Sequence, residues 1–262
     1  MARPGAKWAL FPHLGEYTHT AASVKKQWAR LHNGDREPLP KQADVLAAWV
    51  LFHNGEFQKA AEAGLAAGGD GITAANKATC IHATYLEPKE TNRLAMLMAV
   101  AERAEAQAAE QPGNANAWYY QAYALGRYSQ GISVAKALAE GLGTRVRKAL
   151  ETTIKICPEH ADAHIALAAF HAEVIDKVGA LIGGMTYGAK KDTGLKLYQT
   201  ALALNPNSAI ALVEYANGLV MLEGDKRMKE ATALYEQAAA STPLDAMERL
   251  DVEMAKAELA DG

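Results

Sequence analysis

One spacing of small, aromatic and proline residues recurs in the second half of the chain and limits its possible folds more than any other feature. Offsets of four, three and five residues separate the members of three segments: Gly194, Tyr198, Ala201 and Pro206; Ala231, Tyr235, Ala238 and Pro243; and Val146, Leu150, Thr153 and Pro158. Offsets of three and four place side chains on one face of a helix. Because the unit recurs, we expect pairs of helices that stack along the chain.

A second pattern follows three of the prolines. Pro112, Pro158 and Pro206 each begin the sequence P-x-x-A-x-A. A larger residue comes next and an alanine lies four residues later, in three pairs: Trp118 and Ala122, His164 and Ala168, and Leu212 and Ala216. Proline ends one helix and favours the start of the next. The two patterns therefore predict the second and first helices of neighbouring pairs.

Composition favours an all-α protein and excludes several classes of function. Apolar residues make up 50% of the chain and aromatics only 7%, and alanine, the best helix former, is abundant. The net charge of −3 comes without a concentrated basic stripe, which argues against nucleic-acid binding. No segment reaches the roughly 20 apolar residues of a membrane span. With Cys80 and Cys157 expected to be buried free thiols, we predict a cytoplasmic protein.

Helical periodicity divides the chain into three parts. Residues 1–40 are expected to form an N-terminal arm and a capping helix, residues 41–243 a helical array, and residues 244–262 a C-terminal capping helix. The predicted helices cover residues 18–32, 41–53, 56–67, 73–86, 91–109, 114–128, 144–156, 161–177, 190–204, 209–222, 227–240 and 244–259. A polar terminal helix would keep the open end of such an array soluble.

The pattern resembles the tetratricopeptide repeat (TPR), whose unit is two antiparallel helices in about 34 residues. The two patterns above carry this resemblance, and the first hairpin adds Gly55, Phe57, Ala60 and Ala67. The resemblance implies a right-handed α-α superhelix, a TPR-like solenoid of about five hairpins plus terminal helices. It also implies that the first helix of each pair lines a concave groove.

The regular interval breaks twice. From Leu51 to Ala60 the chain uses nine residues, but it uses 21 from Leu125 to Val146 and 23 from His171 to Gly194. The third and fourth hairpins therefore carry long insertions, within residues 131–143 and 178–188. Such glycine-containing insertions are similar to those of TatT-like repeat proteins of TRAP-type transporters and of regulators of microtubule dynamics. A TatT-like protein would carry a lipoprotein leader, and the sequence shows none.

Counting along the repeats gives the predicted groove positions. On the first helices of the last three pairs these residues are Tyr119, Tyr123, Arg127, Glu173, Glu214 and Asn217. Tyrosine and arginine often dominate binding energy at protein interfaces. In the second insertion, Leu181, Met185 and Tyr187 belong to an apolar partner site or lid, the alternative being simple packing.

The sequence gives little support for a catalytic or metal-binding role. His160, His164 and His171 form the best candidate metal site, but repeat positions favour structural roles for them, and we predict no metal and no cofactor. No nucleophile motif is present. The sequence therefore predicts a non-enzymatic scaffold for a protein or peptide partner. A small-ligand carrier or transporter accessory protein with a lidded cavity, and a self-assembly module that forms homo-oligomers, stay open as alternatives.

Overall fold

The computed structural model describes residues 7–261, and within this range the secondary structure is helical, without a β-strand. A short 3₁₀ helix covers Gly224–Arg227. The α-helices are α1 (Ala21–Leu31), α2 (Ala43–His53), α3 (Phe57–Ala67), α4 (Gly71–Tyr85), α5 (Glu90–Glu110), α6 (Ala115–Gln130), α7 (Val134–Ala139), α8 (Leu142–Ile156), α9 (Ala161–Val178), α10 (Ala180–Tyr187), α11 (Lys191–Leu204), α12 (Ala209–Glu223), α13 (Met228–Ala239) and α14 (Ala246–Asp261).

The all-α prediction is confirmed, and the predicted helices lie close to the observed ones. The largest shift at a helix start is at α1, which begins at Ala21 instead of residue 18. Its start is fixed by a reciprocal cap, in which Thr20 Oγ1 accepts from the backbone N–H of Ser23 and Ser23 Oγ accepts from that of Thr20. The two insertions also contain helix, as α7 and α10.

The chain forms two compact units. The first comprises residues 7–32, 37–156 and 245–247 of the described chain. In it, α2 pairs with α3, α4 with α5 and α6 with α8. Helix α4 is central, because α2, α3, α5 and α6 all pack against it. Its residues from Thr73 to Ala83 are buried, which makes α4 the core of this unit.

The second unit comprises residues 33–36, 157–244 and 248–261 of the described chain. Here α9 pairs with α11, and α12 pairs with α13. The repeat positions behave as predicted: Ala168, Ala201, Ala216 and Ala238 are fully buried, and Tyr198 packs in one core cluster with the first three. Small side chains let the helices approach closely, and the ring occupies the remaining space.

Cys80 and Cys157 are both free thiols, and Cys80 is buried. Cys157 is only half-buried, so the prediction of two buried thiols is wrong for that residue. It lies in the turn after α8, next to the exposed residues Pro158 and Glu159. None of the helices in residues 7–261 combines the length and the hydropathy needed to cross a membrane.

Candidate binding surfaces

Helix α6, in the first unit, carries three of the residues predicted to bind a partner. The helix begins where the side chain of Asn114 accepts a hydrogen bond from the backbone N–H of Ala117, at 3.2 Å. Tyr119, Tyr123 and Arg127 follow at intervals of four and share one side of the helix. Tyr119 is only 7% exposed, whereas Tyr123 and Arg127 are half-buried. A partner would therefore reach Tyr123 and Arg127 much more easily than Tyr119.

Tyr123 and Arg127 contact each other. The guanidinium carbon of Arg127 lies 5.5 Å from the centre of the Tyr123 ring, within the range of a cation–π interaction. The Tyr123 hydroxyl shares a 3.0 Å hydrogen bond with Oγ1 of Thr84 on α4. Burial raises the pKa of Tyr123, so its hydroxyl stays protonated. The pair therefore presents an aromatic ring of fixed orientation beside a positive charge.

A second polar cluster lies between α4 and α5 of the same unit, and the sequence did not predict it. Arg103 Nε donates to Asn76 Oδ1 at 3.0 Å, and Arg103 Nη2 donates to Thr79 Oγ1 at 3.4 Å. One turn further along α5, Gln107 Nε2 donates to Thr73 Oγ1 at 3.0 Å. Asn76 is fully buried, while Arg103 is half-buried. The spacing of these polar residues by three or four on each helix was the sequence signal for this cluster.

The surroundings of this cluster are positively charged. The hydrogen-bond partners of Arg103 are neutral, and no carboxylate within the described chain lies in ion-pair distance of it. Burial lowers the pKa of Arg103 from its high intrinsic value. Burial also raises the pKa of Cys80 to about 12, against the opposing charges of Arg103 and Arg127. Both guanidinium groups are therefore close enough to affect this thiol, which stays protonated and is not a nucleophile.

Three predicted residues lie on α9 and α12 of the second unit. Glu173 forms an ion pair with Lys177, with 3.5 Å between Oε2 and Nζ. Asn217 Oδ1 accepts a hydrogen bond from the hydroxyl of Tyr235. Glu214 is half-buried, and burial together with the charges of Glu258 and Glu214 raises the pKa of Tyr235 to about 12. Of these three residues, Glu173 is therefore paired with a lysine, and Asn217 with a tyrosine hydroxyl.

Helix α10 places most of its large apolar side chains in solvent. Gly183 is buried on the side of α10 that packs against α9. Leu181, Ile182 and Met185 are 76%, 57% and 82% exposed, and Tyr187 is half-buried. The insertion helix is therefore anchored through a glycine and leaves an uncharged apolar face uncovered.

Helix α7, in the insertion of the first unit, has the same character on a smaller scale. Val134 and Leu138 are 52% and 56% exposed. They are separated by one helical turn and lie on one face. Lys136 and Glu140 flank them, with 3.9 Å between Nζ and Oε1. Both insertions thus expose apolar side chains that are not packed between the stacked hairpins.

The three histidines considered for metal binding each form a hydrogen bond with a backbone group. His160 Nδ1 accepts from a backbone N–H in the first turn of α9 at 3.1 Å, and so caps the helix. His164 Nε2 donates to a backbone carbonyl at 2.9 Å. His171 Nδ1 accepts from the backbone N–H of Lys190 at 3.2 Å. No cluster of three potential metal ligands occurs in residues 7–261.

A buried ionisable pair in the first unit was also missed by the sequence reasoning. His53 Nδ1 lies 2.7 Å from Asp245 Oδ2, and the two side chains are 0% and 1% exposed. Burial lowers the pKa of His53 more than Asp245 raises it, so the ring is neutral. The rings of Trp49 and His32 enclose it, with centroids at 6.1 and 5.2 Å. Because the pair is sealed from solvent, it holds residue 245 against α2 and is not accessible for catalysis.

Comparison with known proteins gives a structural likeness. No protein-family model matches the sequence, and no curated protein matches it. Among solved structures, a thermophilic TPR protein of Thermus thermophilus matches with a TM-score of 0.58 and 16% sequence identity, over 83% of this chain and 100% of that chain. At this identity the likeness concerns the fold alone. The chain therefore has a tetratricopeptide-repeat-like helical fold.

Proposed function

We propose that this protein is a non-enzymatic scaffold that binds a protein or peptide partner. The observation that carries the proposal is the contact between Tyr123 and Arg127, which places a half-buried ring and a cation on the first helix of a repeat pair. Tyrosine and arginine supply large contact area and several hydrogen-bond donors, and they are enriched among residues that dominate binding energy. The bond from Tyr123 to Thr84 restricts the ring before a partner arrives, which lowers the entropic cost of binding.

The insertions supply a second contact surface in this proposal. Leu181, Ile182 and Met185 expose apolar area on α10 without a charged residue among them. Isolated exposed apolar residues are common, but three on one short helix form a patch typical of interfaces. Val134 and Leu138 on α7 provide a smaller patch of the same kind.

A ligand carrier closed by these insertions is less well supported. A lid buries its large apolar side chains against the cavity that it covers, but on α10 it is Gly183 that is buried and Leu181 and Met185 that face solvent.

A role in self-association would use the same patch with a second copy of the chain. Sedimentation at high protein concentration distinguishes that outcome from binding of a different partner.

Two of the deeply buried reactive groups described above, Cys80 and His53, are not suited to covalent catalysis. The thiol of Cys80 is protonated, and His53 is enclosed. We also propose a reducing, cytoplasmic environment, because Cys80 and Cys157 are free thiols.

Quantitative affinity capture tests the scaffold proposal. The intact protein is compared with a Tyr123→Ala, Arg127→Ala variant and with a Leu181→Ser, Met185→Ser variant. The matched control is Arg147→Ala, which removes a half-buried arginine of the same unit that pairs with Glu151 at 2.7 Å. We expect at least one partner to bind the intact protein and the control equally and to be lost from one of the two test variants.

Two results would contradict the proposal. One is that the intact protein, the two test variants and the control all capture every partner equally. The other is turnover of a substrate by the purified chain. Tyr119 is left unchanged in these variants, because truncating a residue that is 7% exposed would create a cavity. A loss of stability could then be mistaken for a loss of partner binding.

A further inference from the structure

We propose that α2, α3 and α4 of the first unit form a binding site for an extended peptide with two aromatic side chains three residues apart. In this structure the chain's own residues 8–19, called here the docked segment, occupy the site. The ligand is a segment of a partner protein that displaces the docked segment. This second site deepens the proposed function and rests on it.

The docked segment lies on the first unit in the manner of a bound peptide. It precedes α1 and contains no helix. Phe11 is its one buried residue, whereas Leu10 and Leu14 are 65% and 51% exposed. The segment therefore sends one side chain into the interior and leaves most of its length in contact with water.

Two aromatic anchors hold the first half of the docked segment. The ring of Phe11 meets that of Phe57, at the start of α3, edge to face with 6.0 Å between centroids. Gly55 leaves room for this ring, because a Cβ atom at position 55 would lie 2.4 Å from Phe11 Cδ1. Three residues earlier, the half-buried ring of Trp8 lies 4.4 Å from that of His82 on α4. Aromatic anchors of this kind often dominate the binding energy of an interface.

Side chains of the α2–α3 hairpin bind the main chain of the docked segment at both of its ends. Gln58 Oε1 accepts from the backbone N–H of Trp8 at 3.0 Å. Asn54 Oδ1 accepts from the backbone N–H of His19 at 2.7 Å, and Asn54 Nδ2 donates to the carbonyl of His19 at 3.0 Å. Such main-chain bonds hold a peptide of any sequence, while the aromatic contacts select particular side chains.

A partner segment suits this site better than the docked segment of a second copy. Exchange between two copies replaces each contact by an identical one, so it gains no interaction and still costs the freedom lost on association. A partner segment can gain, because a side chain that buries more apolar area than the half-buried Trp8 binds more tightly. The docked segment then acts as a tethered competitor that the partner must displace.

A fluorescent peptide with the sequence of residues 7–20 is the probe for this site. It is titrated into the intact chain and into a full-length Trp8→Ala, Phe11→Ala variant, whose own segment has lost both anchors. We expect saturable binding to the variant and at least about tenfold weaker binding to the wild type, because a tethered competitor has a high effective concentration. The same peptide with alanine in place of both aromatic residues should bind neither protein.

A second pair of substitutions tests the main-chain contacts. Asn54→Ala and Gln58→Ala, added to the double variant, remove the three bonds to the peptide backbone and should weaken peptide binding about tenfold to a hundredfold. The matched control is Lys59→Ala in the double variant. Its side chain is 68% exposed on the same hairpin, so peptide binding should stay unchanged.

Thermal unfolding keeps the test valid if the double variant is unstable, since Phe11 is buried. Circular dichroism gives the Tm of the variant with and without excess peptide, and a ligand of the folded state raises it. A rise with the aromatic peptide alone supports the site. The site is excluded if the aromatic peptide neither saturates the variant nor raises its Tm, or if the alanine peptide acts equally.

Sedimentation distinguishes a partner from a second copy. A wild-type dimer that the double variant does not form would make the second copy the occupant and overturn the assignment to a partner. We expect the two proteins to sediment alike. Failure of the peptide to bind would leave partner capture through Tyr123 and Arg127 intact, so the site and the scaffold proposal fail separately.

Discussion

The ring of Tyr198 lies so close to Gly218 that a Cβ atom at position 218 would be 2.4 Å from Cε2 of the ring. Tyr198 is 1% exposed, and its ring stacks on Tyr215 with 5.2 Å between centroids. The ring therefore has little room to move aside. Helices α11 and α12 approach as closely as they do because position 218 has no side chain.

Gly218→Ala should therefore destabilise the second unit, although alanine is the better helix former. Overpacking of a filled core typically costs about 1–3 kcal/mol. This cost exceeds the stabilisation that alanine gains over glycine from its higher helix propensity. Urea unfolding followed by circular dichroism measures the change. Gly126→Ala is the control, because a Cβ at this helical position has no neighbour within 4 Å and should stabilise α6 by up to about 1 kcal/mol. Equal effects of the two substitutions would contradict the packing argument.

Much of the fold follows from the sequence, because repeat positions report local packing. The alanines at 168, 201, 216 and 238 and the ring at Tyr198 were identified by spacing alone, and all are buried. The contact of Tyr198 with Gly218 was not identified, since Gly218 belongs to neither repeated pattern. Periodicity shows which face of a helix is buried, but it does not show which residue of the neighbouring helix meets it.

The candidate sites were less predictable, for a related physical reason. The hydrogen bond from Arg103 to Asn76 joins residues 27 positions apart on two helices, and the pair of His53 and Asp245 spans 192 positions. No local pattern encodes such contacts, because they depend on how helices turn against each other. The exposure of Leu181 and Met185 could be anticipated, since their insertion lies outside the repeat spacing.

Removal of the Asp245 side chain should destabilise the first unit. Asp245→Ala leaves His53 buried without its hydrogen-bond acceptor, and breaking a buried polar pair of this kind costs about 2–4 kcal/mol. Chemical unfolding at pH 7 measures the loss. Glu105→Ala provides the comparison: its carboxylate is 57% exposed in an ion pair with Arg145, so we expect a change below about 1 kcal/mol. Similar losses for the two variants would mean that the buried pair contributes no more than a surface contact.

Acidification should weaken the first unit through His82. Burial lowers the pKa of His82 from 6.5 to about 4, and its ring lies 4.4 Å from that of Trp8. Between pH 6.5 and 4 the unfolded chain binds a proton that the folded chain does not, so stability falls as the pH falls through this window. The burial of His53 acts in the same direction.

We expect His82 to account for a loss of about 2 kcal/mol between pH 7 and pH 4. His82→Phe removes the titrating group and keeps a ring beside Trp8, so the variant should lose less stability on acidification than the wild type. Urea unfolding at several pH values between 7 and 4 gives the slope of unfolding free energy against pH for the wild type and the variant. A variant slope as steep as that of the wild type would show that His82 is not the titrating group.

The two cysteines should differ sharply in their reaction with thiol reagents. Burial raises the pKa of Cys80 to about 12 and leaves 1% of the residue exposed, so neither thiolate nor access is available in the folded protein. Burial also raises the pKa of Cys157, but this residue is half-buried and accessible. Iodoacetamide labelling read by mass spectrometry should therefore modify Cys157 slowly in the native chain and Cys80 only after addition of denaturant. Cys157→Ser serves as the control and should show no labelling without denaturant. Rapid native labelling of Cys80 would mean that α4 opens readily, and it would contradict the placement of this helix at the core of the first unit.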